Sequence, residues 1–206
     1  MKKHSILIFL ITLSFLIACM GCNNKPNCHL DAEVLRKNDS TIAVMKSKKT
    51  LSHFLNRLQE PELASLKEEE IYRFWVLSSF GDYHSYRINK SGDSYVILSK
   101  SYFECKEDTL QHKNIRIDSL SKERKTIVST QDWKAIKNSL DGIHFWRLPV
   151  RYKEYYLDGV AYIVEGYTSE KNECTGRNYH AVARISPADT TRYKLVFEQI
   201  EKLVSK

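Results

Sequence analysis

The chain has 206 residues, 42% of them hydrophobic and 28% charged, with a formal net charge of +7. That length fits one domain behind a short leader, and the balance excludes a globally disordered chain. With seven Gly and four Pro it is no collagen-like or low-complexity repeat, and its cations are scattered, as in Lys46-Ser47-Lys48-Lys49, which points to a solvated surface.

Lys2 and Lys3 precede an apolar run over residues 6–18. The run has the length of a secretory signal core and is short for a bilayer span. It ends in Leu16-Ile17-Ala18-Cys19. This tetrapeptide resembles the bacterial lipobox, with a small residue before the cleavage point and a thiol that takes a thioether-linked lipid. Cys22 is the alternative lipidation site, although Cys19 would then stand where Leu or Val is usual. A plain cleaved signal with incidental cysteines is the simpler alternative. The expected organisation is a signal peptide over 1–18, a lipid-anchored tether over 19–48 and an α+β domain over 49–206. The tether reading rests on the turn-forming Asn23-Asn24-Lys25-Pro26-Asn27 and on the lack of an apolar period in 20–45.

From residue 50 the pattern turns helical, with Leu51, Phe54, Leu55 and Leu58 on one face and Pro61 as the stop. Residues 71–80, 83–89 and 95–100 are aromatic and β-branched and are separated by Gly-Asp turn signals, which predicts an antiparallel meander. Residues 109–119 are a candidate fourth strand, and 125–128 a short edge. Ser129 and Asp132 match a capping box before a helix carrying Trp133, Ile136 and Leu140. Residues 143–149 read as an extended segment that tucks Phe145 and Trp146 under the sheet. An exposed loop with Tyr152, Tyr155 and Tyr156 follows, then a hairpin over 160–168 and 177–185. Ser186-Pro187 opens a last helix, with Tyr193, Val196, Phe197, Ile200 and Leu203 as its stripe. The expected fold is α+β: a single domain with an antiparallel sheet and helices packed on one face.

Five cysteines remain to be placed. If Cys19 carries lipid, Cys22, Cys28, Cys105 and Cys174 allow three pairings, and an exported domain permits disulfides. The favoured pair is Cys105 with Cys174, both in the folded body; Cys22 and Cys28 could close a local loop. Cys19-Met20-Gly21-Cys22 has CxxC spacing but lies at the cleavage point, and no His stands at zinc spacing, so no metal and no cofactor is expected.

A hairpin symmetric about its loop would set Glu165 opposite His180, Ile163 opposite Val182 and Ala161 opposite Arg184. Val160, Tyr162, Val164, Tyr179, Ala181, Ala183 and Ile185 would then form the core face. Glu165, His180 and Arg184 would share the outer face, a carboxylate beside an imidazole beside a guanidinium. These are the candidate acid–base residues, although cross-strand charge pairs are ordinary on a sheet surface. No nucleophile elbow, zinc-protease helix, phosphate loop or dinucleotide fingerprint occurs.

The pattern Phe145-Trp146-Arg147-Leu148-Pro149, then Asp158-Gly159, a strand ending in Glu165-Gly166, and Tyr179-His180 leading to Pro187, resembles a group of small bacterial proteins of unassigned activity. The resemblance spans residues 71–203. It implies a fold layout and supplies no activity, and the Cys174-bearing loop is longer here than the group's tight turn. The expected function is a non-enzymatic binding or interaction module of the bacterial cell envelope, at the inner or outer membrane. Its partners would be the membrane, through its lipid, and a protein or envelope ligand, with no nucleic acid. The alternatives are a periplasmic hydrolase using Glu165 and His180, and a structural subunit of an envelope assembly.

Overall fold

The sheet forms because three neighbouring strands are joined by turns too short for anything but antiparallel pairing. In the computed structural model, which describes residues 30–47, 51–79, 81–103, 119–150, 159–173, 175–185 and 191–206, β1 (Glu70–Ser78), β2 (Asp82–Ser91) and β3 (Ser94–Phe103) form that meander. Gly92 turns the β2–β3 hairpin at φ 61°, where a side chain would be strained, and Ser91 pairs with Ser94 directly beneath it. β4 (Ser119–Val128) extends the meander, and β5 (Val160–Thr168) and β6 (Tyr179–Ile185) add to the far side of β1. The result is a six-stranded antiparallel sheet in the order β4-β3-β2-β1-β5-β6. β4 thus begins at the end of the strand expected over 109–119 and takes in the edge expected over 125–128.

Helices cover both faces. α3 (Thr130–Gly142) and α4 (Thr191–Val204) lay Trp133, Ile136, Leu140, Tyr193, Val196, Phe197 and Ile200 against Tyr72, Phe74, Ile88, Ile97, Val164 and Val182. α1 (Ala32–Ser47) and α2 (Leu51–Arg57) cover the opposite face, with Ile42, Met45, Leu51 and the following Leu58 against Trp75, Leu77, Tyr102, Ile163, Ala181 and Ala183. The chain is therefore a single α+β domain with an antiparallel sheet, as expected, but the placing of helices on one face is corrected to both. β1 explains the need: it is apolar or aromatic on both sides, and a strand buried twice needs two covers.

The tether expectation is also corrected. Residues 32–47 are helix and belong to the packed body. Their inward stripe is Leu35, Asn38, Ile42 and Met45, and the polar Asn38 breaks the apolar period. Asn38 is buried because its Oδ1 accepts the Val150 N–H at 3.1 Å. The 143–149 segment is likewise a 3₁₀ turn (Phe145–Arg147) and not a strand, entered through His144 in the left-handed conformation. Phe145 and Trp146 are buried as expected. Ser129 caps α3, its Oγ accepting the Asp132 N–H at 3.1 Å and donating to Asp132 Oδ2 at 2.6 Å. The signal segment, Cys19, Cys22, Cys28, Cys105, Cys174, Tyr152, Tyr155, Tyr156 and the Ser186-Pro187 helix start lie outside the described residues. Among the described residues no helix is long and apolar enough to cross a membrane.

Candidate functional site

The central hairpin is one residue away from the symmetric register. Glu165 pairs with Ala181, Gly166 with His180 and Tyr162 with Arg184. The loop decides this. Thr168 N–H donates to the Asn178 carbonyl at 2.9 Å, and the Asn178 side-chain amide donates to the Thr168 and Ser169 carbonyls. Since both faces of β5 and β6 are buried, counting apolar residues on one face does not discriminate between registers. The consequence is that Glu165 lies on the α1/α2 face, and His180 and Arg184 lie on the α3/α4 face. The expected outer-face trio does not exist, and all three residues are interior, at 1%, 4% and 9% exposure.

Each is engaged in holding the fold. His180 Nε2 lies 3.0 Å from the Leu148 carbonyl, and its ring stacks on Trp146 and meets Phe145 edge-on. Burial pushes its imidazole down to about 4, so the neutral ring donates Nε2–H to that carbonyl. Arg184 donates to the Pro149 carbonyl at 3.3 and 3.2 Å and to the Ala183 carbonyl at 2.7 Å. Together they fasten the turn after α3 to β6. Gly166 makes room for it: a Cβ there would sit 2.7 Å from the Phe145 ring and 2.9 Å from the Tyr72 ring. The Glu165-Gly166 and Tyr179-His180 elements are thus packing devices.

Glu165 anchors a buried ionic layer on the other face. Its Oε2 accepts Arg73 Nε at 2.7 Å and Trp75 Nε1 at 2.5 Å, and its Oε1 accepts the Tyr179 hydroxyl at 2.6 Å. Burial alone would raise this carboxyl; Arg73 and the hydrogen bonds outweigh it and hold the group below the usual carboxylate range. Arg73 reaches on to the Pro61 carbonyl at 2.6 Å and to Glu60 Oε2 at 3.4 Å. Glu60 also takes Arg87 Nε at 2.9 Å, and Lys100 Nζ lies 3.0 Å from its Oε1, a contact of charge without hydrogen-bond alignment. Arg73 and Arg87 stand directly opposite one another on β1 and β2, a repulsive pairing that the shared Glu60 carboxylate offsets. The sequence signal for this layer was faint, since its members come from the segment after α2 and from five different strands.

Among the described residues, two of the surface clefts gather polar groups from the sheet strands. One, of about 360 Å³, is lined by Lys67, Glu68, Glu69, Glu70, Lys90 and Tyr95. Its charges have mixed sign, and Glu70 is tied to Tyr72 and Lys137. The other, of about 170 Å³, lies where β2, β3 and β4 pass the C-terminal end of α4, and is lined by His84, Tyr86, Ser99, Ser101, Lys122 and Arg124, with Val204 as a wall. Sequence reading passed over these residues. A signal existed: the two-residue turn at Gly92-Asp93 fixes the pairing of β2 with β3, and alternation then puts His84 and Ser101 side by side.

Among the described residues, no group of three or more His, Cys, Asp or Glu is placed to hold a metal ion. No protein-family model, curated protein or solved structure matches the chain.

Proposed function

We propose that this chain is a lipid-anchored domain of the bacterial cell envelope that binds a ligand or partner and catalyses no reaction. The observation that carries the anchor is Leu16-Ile17-Ala18-Cys19 closing a short apolar leader ahead of a single folded domain. Two or more acyl chains on one residue hold a protein on a membrane where one chain is marginal. The non-enzymatic half is supported by the placing of Glu165 and His180. A hydrolase reading needs carboxylate and imidazole in one cleft, and these two lie on opposite faces of a covered sheet with their polar atoms engaged in the fold.

An assembly subunit would present a sheet edge ready to accept a strand. The β4 edge carries exposed Lys122, Glu123, Arg124 and Lys125 around one exposed apolar residue, Ile127 at 78%, and charge of this density discourages strand addition. Binding is supported by the cleft between the meander and α4, where polar side chains from three strands face solvent together. The decisive experiment is Cys19→Ala with membrane fractionation and palmitate labelling: the wild-type chain is expected in the membrane fraction with label, and the variant without label and released. Label retained by the variant would move the anchor to Cys22, and an unlabelled wild-type chain would overturn the reading.

A further inference from the structure

The ionic face of the sheet is ordered in two rows across β1, β2 and β3. In one row Arg73 on β1 stands opposite Arg87 on β2. In the next, on the same face, Trp75 stands opposite Ser85, which stands opposite Lys100 on β3. Glu60, brought over the sheet by the connector after α2, meets each row with a different oxygen. Its Oε2 takes the first row, with Arg87 Nε at 2.9 Å and Arg73 Nη1 at 3.4 Å, and its Oε1 turns to the second, with Lys100 Nζ at 3.0 Å. That second row leaves two polar atoms over. Ser85 Oγ and Glu60 Oε1 are both buried, and neither has a hydrogen-bond partner among the described residues.

The choice of Ser at this place needs a reason. Ser85 is 0% exposed in the middle of a strand. An unpaired buried hydroxyl carries its desolvation cost with nothing to offset it, and an apolar residue would serve better there if the hydroxyl had nothing to bond. Ser85 is also the shortest side chain of its row, and Trp75 beside it leans toward β5, where its Nε1 donates to Glu165 Oε2. On the other side Lys100 commits one of its ammonium protons to the Gln59 carbonyl at 2.8 Å, and an ammonium has three to give. A hydroxyl, a carboxylate oxygen and an ammonium thus converge on one buried spot from β2, the connector and β3.

From this convergence we infer that a water molecule is bound between Ser85 Oγ, Glu60 Oε1 and Lys100 Nζ as a fixed member of the ionic layer. The chemistry selects water over an ion. A cation would meet the Lys100 ammonium, and an anion would meet the Glu60 oxygen that lies 3.0 Å from it. Water accepts from the ammonium and donates to the carboxylate, and the hydroxyl, able to do either, takes the remaining position. Interior waters characteristically make about three hydrogen bonds to polar groups that the fold leaves over. Here the water completes the carboxylate on which Arg73, Arg87 and Lys100 converge, and it makes the small polar residue at 85 part of what holds β1, β2 and β3 to the connector. The inference is independent of the anchor and of the binding-module reading.

Substitution at Ser85 in the full chain tests it by urea denaturation. Ser85→Ala keeps the space and removes one of the water's partners, so its midpoint should fall slightly. Ser85→Val fills the space, expels the water and strips Glu60 Oε1 of its donor, so its midpoint should fall further, although Val is the better strand former. A hydroxyl that is merely tolerated would give the reverse order, with Val at or above wild type, and that order would overturn the site. A crystal structure of the wild-type full chain, at a resolution that orders solvent, tests the site without any substitution. One solvent peak is expected within about 3.2 Å of all three atoms, with no anomalous signal after chloride is exchanged for bromide. Absence of the peak, a bromide signal at it, or Ser85 Oγ turned onto a protein carbonyl would each overturn the inference.

Discussion

On the α3/α4 side the strands offer Tyr72, Phe74, Val164 and Val182 to apolar helix stripes, and on the α1/α2 side the same sheet sets Arg73, Arg87, Lys100 and Glu165 beside an apolar patch of Trp75, Leu77, Ile163 and Ala183. The first face is held by dispersion and water exclusion, which are non-directional and forgive small shifts. The second adds to its apolar contacts a layer of charges that are acceptable inside only in fixed pairs. A one-residue slip of β5 against β1 would carry Glu165 into the aromatic layer and away from Arg73. The apolar contacts on both faces thus supply the adhesion, and the ionic layer penalises wrong registers.

The largest effect should come from breaking the ionic face on one side only. Glu165→Ala leaves Arg73 buried beside Arg87 with one carboxylate fewer, and is expected to lose about 3–5 kcal/mol in urea denaturation. The paired replacement Arg73→Met with Glu165→Leu should recover most of that loss. A single variant within about 1 kcal/mol of wild type would show that the layer carries no such burden.

Acid should distinguish the faces next. His180 binds its proton at about 4 in the folded chain against 6.5 when unfolded, so the unfolded state takes up the proton first as pH falls. Its stabilising contribution is complete above 6.5 and is lost as pH falls from 6.5 to about 4, by about 3 kcal/mol in all. Glu165, whose carboxyl is depressed, loses its contribution only at lower pH, as pH falls through its folded value. Denaturation midpoints across that window should therefore fall for wild type and stay flatter for His180→Gln. Parallel slopes would remove His180 as the acid-sensitive latch.

A smaller loss is expected from Gly166→Ala, whose added methyl meets the Phe145 and Tyr72 rings; overpacking of this kind costs about 2 kcal/mol. Unchanged thermal stability would mean that the 145–149 turn lifts freely. The smallest effect belongs to Tyr193→Phe. That hydroxyl donates to the Val182 carbonyl at 2.6 Å and accepts the Val164 N–H at 3.1 Å, a bridge set into the β5–β6 ladder from α4. Its removal should cost about 1 kcal/mol, with faster amide exchange at Val164 as the specific readout.

Much of the fold was legible in the residues. The Ser129 cap, the Trp133-Ile136-Leu140 stripe, the α4 stripe and the three-strand meander follow from spacing and turn chemistry that act within a few residues. The hairpin strands were placed correctly and their pairing was not. An alternation argument works when one face meets water, and here neither face of Val164, Glu165, Val182 or His180 does. α1 was missed for a related reason: Asn38 looks like a break in an apolar face until the Val150 N–H that it satisfies is brought to it from more than a hundred residues away.

The sequence by itself determined the cap and stripe of α3, the stripe of α4, the three-strand meander and the position of the two hairpin strands, because those features are local. Only the tertiary structure decided what Glu165, His180 and Arg184 do. Their roles depend on which strand lies beside which and on what covers each face, and both are settled by contacts between segments far apart in the chain. Covering the sheet on both sides turned the expected outer-face trio into interior fastenings.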